Sequence, residues 1–273
     1  MMNQLSPNLL FRQLYRSALK RRSHEYPDRA WGLSSIVFSP HQDDETLGCG
    51  GTLIKKKRAG AEVQIVFMTD GSSSHDQLMP KAQLKLIRAD EAIAAAKMMG
   101  IAEDNVMFLE FPDGKLAQHQ AIATQKVLNI LLHYRPQEIF VPYRRDGQPD
   151  HTATYRIVRK ALQQSMLHTT VYEYPIWFWR HWPWTGFGDT WQESLDILKA
   201  TFRAAGGLEM LINFQSAAFI GDVLNVKRTV LNQHQSQMFP ILPDAYWPTL
   251  HEVCRGEFLE CFFQDYEFFH SAN

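Results

Sequence analysis

The sequence is poor in the features that mark several large classes of protein. It has only three cysteines among 273 residues, Cys49, Cys254 and Cys261. They are odd in number and lack a CxxC pair, which argues against a disulfide framework and a thiolate zinc site. A reducing, cytoplasmic setting is the expectation. No uncharged run approaches the ~20 residues that span a bilayer, so no transmembrane segment is expected. Charge of one sign is also missing: 28 Lys and Arg stand against 29 Asp and Glu, a formal net charge of -1. That balance leaves no global field for nucleic acid, and no nucleic-acid partner is expected. The N-terminal stretch carries Arg12, Arg16, Lys20, Arg21 and Arg22 without the apolar core of a secretory signal. Read as a solvated surface helix over 8–22, it leaves peripheral contact with anionic lipid or glycan open.

What is present is enough apolar surface for a sizeable core, with 45% hydrophobic and 12% aromatic residues. No Ser/Gly linker, repeat or low-complexity tract divides the chain. Residues 1–30 read as an N-terminal extension and 31–273 as a single α/β domain, with an aromatic-rich insertion near 175–191. A homo-oligomer is compatible with this composition.

The pattern alternates. Ile36-Val37-Phe38 reads as a buried strand ending at Ser39-Pro40, followed by a helix that runs through Lys55 to Arg58 and stops at Gly60. Val63 to Met68 is a second strand, 81–99 a helix, Val106 to Phe111 a strand, 120–133 a helix and Ile139 to Val141 another strand. A helix from His151 to about Gln164 and a strand over Thr170 to Tyr174 extend it, after which regularity fades. Such alternation predicts a Rossmann-like, mostly parallel sheet with helices on both faces, which binds ligands beyond the carboxyl ends of its strands. The polar clusters at 41–45, 70–76, 112–115 and 143–151 each follow a strand. They are expected to converge on one rim.

Within those clusters, His41 and Asp44 lie three residues apart in a strand-to-helix turn, and His151 follows a later strand. Two imidazoles and a carboxylate are the protein ligands of a catalytic zinc site, which keeps a position open for water. Asp43, beside them, is the candidate general base. The bland alternative is an acidic helix N-terminus, where carboxylates cap and meet the dipole. Gly48-Cys49-Gly50-Gly51 lacks the full spacing of a phosphate loop, so a nucleotide-binding Rossmann-like enzyme is the weaker alternative. The run Trp177 to Trp184 reads either as a sugar-stacking wall over the pocket or as an insertion packed on the core.

The run Ser39-Pro40-His41-Gln42-Asp43-Asp44-Glu45-Thr46-Leu47-Gly48-Cys49-Gly50-Gly51 resembles the opening motif of the PIG-L/LmbE family of zinc-dependent N-acetylglucosaminyl deacetylases, AHPDDExxGxGG. Thr69-Asp70-Gly71, the helix bearing Arg88 and Glu91, Phe111-Pro112-Asp113-Gly114, Pro149-Asp150-His151, and Lys227 with His234-Gln235-Ser236-Gln237 are similar to its later motifs, in order. The resemblance implies Zn2+ held by His41, Asp44 and His151, Asp43 as general base, Arg88 reaching substrate, Asp150 supporting the ligands and Glu45 bracing the loop. Two imidazoles and a carboxylate suit other divalent metals too, Fe2+ among them. The implied substrate is a small molecule, glycan or glycolipid bearing N-acetylglucosamine. Two positions depart from the pattern. Gln42 stands where the family has proline, which costs loop rigidity. Gln148 stands where members often have histidine, and an amide donates a hydrogen bond to an oxyanion but transfers no proton. Either Asp43 serves as both base and acid, or His75, His119 or His234 assists. A non-catalytic sugar- or metal-binding protein of the same fold is the alternative that Gln148 favours.

Overall fold

The computed structural model describes residues 7–188, 190–242 and 244–272. Among these, eight strands form one mixed sheet: His24–Glu25 (β1), Ser35–Ser39 (β2), Val63–Thr69 (β3), Val106–Phe111 (β4), Glu138–Pro142 (β5), Thr170–Tyr174 (β6), Ser216–Phe219 (β7) and Tyr266–Ala272 (β8). Their order is β1-β7-β8-β6-β5-β2-β3-β4. The stretch β6-β5-β2-β3-β4 is parallel throughout, as the alternating sequence pattern predicts. β8 runs antiparallel to β6 and β7, and β1 adds in parallel to β7.

Helices Pro7–Arg22 (α1), Asp44–Arg58 (α2), Lys81–Met98 (α3), Gln120–Tyr134 (α4), Pro149–Ser165 (α5), Trp191–Arg203 (α6), Leu208–Asn213 (α7), Leu224–Leu231 (α8), Gln235–Met238 (α9) and Glu257–Glu260 (α10) complete the framework. Successive strand residues point to opposite faces. Val37, Ile65, Phe67 and Phe140 therefore pack with Leu47, Leu53, Ala92 and Ala95 of α2 and α3. Ile36, Phe38, Val66, Ile139 and Val141 pack with Val127, Leu131, Ile157 and Val158 of α4 and α5. Cover on both faces explains why β2, β3 and β5 are near-continuous apolar runs.

The basic N-terminal stretch is helical, as expected, and is tied to the body of the protein. Leu19 is fully buried, Arg12 donates from Nε to the Pro183 carbonyl, and Tyr26 donates to Glu138 at 2.6 Å.

Helix α2 breaks at Cys49, whose backbone (φ -145°, ψ 15°) is not helical. The break interrupts the hydrogen-bond ladder, so polar backbone groups on either side need other partners. A buried ion pair supplies them. The carboxylate of Glu267 on β8 accepts from the Gly51 and Thr52 amides at 2.7 and 2.8 Å. Lys227 on α8 donates to the Leu47 carbonyl and to Glu267, both at 2.8 Å. Breaking a buried pair from one side costs ~3–5 kcal/mol, and Lys227→Met is expected to lose about that much in a denaturant titration. Because Glu267 also holds backbone amides, adding Glu267→Leu is expected to leave the protein at least as unstable. A double variant as stable as wild type would show that the pair does not support the break.

Candidate functional site

The sheet order reverses between β2 and β5, where chain connections leave in opposite directions and open a crevice at the strand ends. The loop after β2 carries His41 to Asp43 and leads into α2, whose first residue is Asp44, and the loop after β5 carries Asp146 to Gln148 and leads into α5, which bears Asp150 and His151. The loop after β3 contributes Ser73 and Ser74, and the loop after β4 contributes Asp113. The four polar clusters thus meet at one cavity of about 390 Å³.

Asp44 stands at the centre. Its Oδ2 lies 3.2 Å from His41 Nδ1 and 3.2 Å from His151 Nε2, and it accepts the His41 amide at 3.1 Å. Burial disfavours its charge, yet His151 and His41 hold this carboxyl well below the usual carboxylate range. Each imidazole has a second carboxylate behind it. His151 Nδ1 lies 2.8 Å from Asp146 Oδ2, and His41 Nε2 lies 3.2 Å from Asp113 Oδ1 and 3.5 Å from Asp150 Oδ2. Burial opposes protonation of His151, but Asp44 and Asp146 raise it to about 9.

The donors His41, Asp44 and His151 lie within 4.8 Å of one another, as do His41, Asp113 and Asp150. Despite its short contacts, fully buried His151 makes no aligned hydrogen bond through either ring nitrogen. Unpaired buried nitrogens are costly. Four carboxylates around two imidazoles also leave an excess of negative charge, and a divalent cation among His41, Asp44 and His151 suits both features.

Asp43 begins α2 at φ 145°, a backbone conformation that costs a non-glycine residue energy and is found where a structure over-determines it. Here the constraint is visible. The Asp43 amide donates to Glu45 Oε2 at 3.1 Å, and its carbonyl accepts the Thr46 and Leu47 amides at 3.1 and 2.9 Å. Its carboxylate lines the cavity, 3.4 Å from Arg88 Nη2. Burial pushes this carboxyl up to about 7, although Arg88 pulls the other way.

The remaining sequence-derived residues divide between cavity and support. Gln148 lines the cavity at the start of α5. Arg88 also borders it, with its guanidinium engaged by the Gln42 carbonyl at 2.6 Å and the Gly71 carbonyl at 3.2 Å as well as by Asp43. Gln42 donates to the Thr69 carbonyl at 3.0 Å and so anchors the loop to β3 where proline rigidity is missing. Asp150 accepts the Gly114 and Leu116 amides at 2.7 and 3.1 Å and fixes the loop that carries Asp113. Glu45 sits between the Asp43 amide and fully buried His234, whose Nε2 lies 3.2 Å away.

His75 stacks on Trp247 with ring centroids 4.0 Å apart, and His119 packs beside Phe111. Like His234, neither lines the cavity. Gly48 and Gly51 are packing residues within α2, where added Cβ atoms would fall 2.3 Å from the Tyr174 ring and 2.7 Å from Ile220. No phosphate cradle exists there. Within the aromatic run, Phe178, Trp179 and Trp184 are buried in the core and Trp182 packs on Phe11 and Tyr15, so Trp177 alone of these faces the cavity.

Two carboxylates that face the candidate ligands, Asp113 and Asp146, have no local sequence signal for that position. Asp113 lay in a recognised motif without an assigned role. Asp146 lies five residues before His151 in the chain, a spacing that no helical or strand period singles out. Its oxygens also accept the Ile176, Trp177 and Phe178 amides at 2.8 to 3.0 Å.

The sequence profile of the family described as GlcNAc-PI de-N-acetylase (PIG-L) matches residues 36–162. A 1D-myo-inositol 2-acetamido-2-deoxy-alpha-D-glucopyranoside deacetylase of Mycobacterium sp. (strain KMS) is 29% identical over 204 residues, covering 62% of this chain and 64% of that protein. The diacetylchitobiose deacetylase of Thermococcus kodakarensis is 28% identical over 120 residues, 42% of this chain and 44% of that protein. The chain thus spans less than two thirds of the length of either relative. Among solved structures, the N,N'-diacetylchitobiose deacetylase from Pyrococcus horikoshii superposes with a TM-score of 0.62 at 18% identity, covering 100% of this chain and 95% of that one. A teicoplanin deacetylase, Orf2, gives a TM-score of 0.54 at 16% identity over 75% of this chain and 85% of that one. These two likenesses show the fold. With its ordered motifs and its strand-end site, the stretch 36–162 is similar to the PIG-L family whose profile it matches.

Proposed function

We propose that this protein is a metal-dependent hydrolase that removes the N-acetyl group from an N-acetylglucosamine-containing conjugate, giving acetate and a free amine. The observation that carries this reading is the meeting of His41, Asp44 and His151 at one end of a cavity that Asp43 also lines. The named activities of the two curated relatives support the substrate class. His41, Asp44 and His151 would hold zinc or another divalent ion, which when bound polarises the acetyl carbonyl and acidifies water.

The chain's own groups divide the remaining work. Asp43 accepts a proton from the water that attacks the acetyl carbon. With His75, His119 and His234 outside the cavity, the same carboxyl then delivers that proton to the departing nitrogen as the C–N bond breaks. Arg88 sets the position of Asp43 through the Gln42 carbonyl and the carboxylate itself. The Gln148 amide donates a hydrogen bond to the oxygen on which negative charge develops. Asp146 orients His151, and Asp113 with Asp150 orients His41.

Asp43→Asn is expected to reduce acetate release from N-acetylglucosaminyl conjugates about 10²–10⁴-fold, with bound zinc unchanged by elemental analysis. Equal rates in the two proteins would remove the base assignment, and no release from any conjugate by wild type would favour a binding protein. Asp146→Asn removes a charge beside a ligand, and it is expected to weaken zinc affinity by about 10–100-fold in competition with a chromophoric chelator. Unchanged affinity would show that Asp146 serves the backbone of 176–178 alone.

A further inference from the structure

The cavity has two chemically different kinds of lining: His41, Asp43 and Asp44 supply titratable groups, and Leu47, Trp177, Leu250 and Phe258 supply apolar surface. Trp177 is partly exposed. Its indole stacks on Phe258, with centroids 4.9 Å apart and planes at 22°, and the side chain also borders the cavity. Its backbone position is fixed by the residue that backs the candidate metal ligand: Asp146 accepts the Trp177 amide at 3.0 Å and lies 2.8 Å from His151 Nδ1. One buried carboxylate thus anchors the Trp177 backbone and faces the His151 imidazole.

A flat aromatic face next to hydrogen-bonding groups suits a ring with one apolar face and a polar edge. Ser73, Ser74 and Gln237 supply polar groups on the same cavity. We infer that Trp177 is a specificity-determining residue that stacks on the apolar face of a pyranose and so directs the 2-acetamido group toward Asp43. The assignment takes its substrate class from the hydrolase reading above, and it adds the requirement for a saturated ring beside the acetamide.

Binding, not turnover, decides it. In zinc-loaded protein carrying Asp43→Asn, the affinity for methyl 2-acetamido-2-deoxy-glucopyranoside is measured by calorimetry beside that for N-acetylethanolamine, an acetamide with no ring. Trp177→Ala is expected to weaken the glycoside about 10-fold, in the range of an aromatic contact, and to leave the acyclic amide unchanged. Trp177→Phe is expected to retain most of the glycoside affinity. Trp177→Leu preserves apolar bulk against Phe258 without a flat face, so it is expected to behave like Trp177→Ala and serves if that variant fails to fold. Unchanged glycoside affinity in the Ala or Leu variant, equal weakening of both ligands, or no glycoside binding before Trp177 is altered would overturn the inference. Acetate release by the otherwise unaltered protein is read separately. If it is nil while the Trp177 effect on binding stands, the hydrolase reading falls and the ring subsite remains.

Discussion

The break in α2 is the constraint on which the site depends. A regular helix from Asp44 to Arg58 would satisfy its own backbone, but this one is interrupted at Cys49 and requires outside partners for the amides of Gly51 and Thr52. Buried Glu267 and Lys227 supply them, at the cost of removing two charges from water. The first turn of the same helix carries Asp44 and presents Asp43 to the cavity. A salt bridge that does not itself line the cavity therefore braces the helix from whose start two proposed functional carboxylates project.

Behind His151, Asp146 plays a comparable part. It accepts three consecutive backbone amides and also stands behind His151. Arg88 ties the Asp43 loop to the loop after β3, and Asp150 ties α5 to the loop after β4. Loops from four strands are thus cross-linked by buried charged groups bonded mainly to backbone. Such groups lose little freedom on ligand binding, which favours a preorganised site.

The parallel half of the sheet was legible because its physics is local. Ile36 to Phe38, Val63 to Met68 and Ile139 to Val141 are buried on both faces and read as short apolar runs, separated by helices that stop at Gly60 and Gly100. The other three strands carry no such signal. β1 has two residues, β7 consists of Ser216-Ala217-Ala218-Phe219, and β8 is interrupted by Glu267 and His270. Nothing in the sequence next to Glu267 marks it as the partner of a broken helix 215 and 216 positions away. The site divides in the same way. His41, Asp43, Asp44 and His151 belong to recognisable motifs, whereas the role of Asp146 depends on bringing 176–178 beside 151, and the Trp177 environment depends on placing Phe258 next to it.

The Gly51 to Glu267 hydrogen bond joins residues 216 positions apart. During synthesis the first turns of α2 leave the ribosome long before β8 exists, so the interruption at Cys49 has no carboxylate to relieve it for most of that time. Chains are made at roughly 5–20 residues per second, which places on the order of ten or more seconds between the two elements. The cavity is therefore completed by a late, long-range closure. A nascent chain holding every motif residue from His41 to His151 still lacks the strand that braces the helix beginning at Asp44.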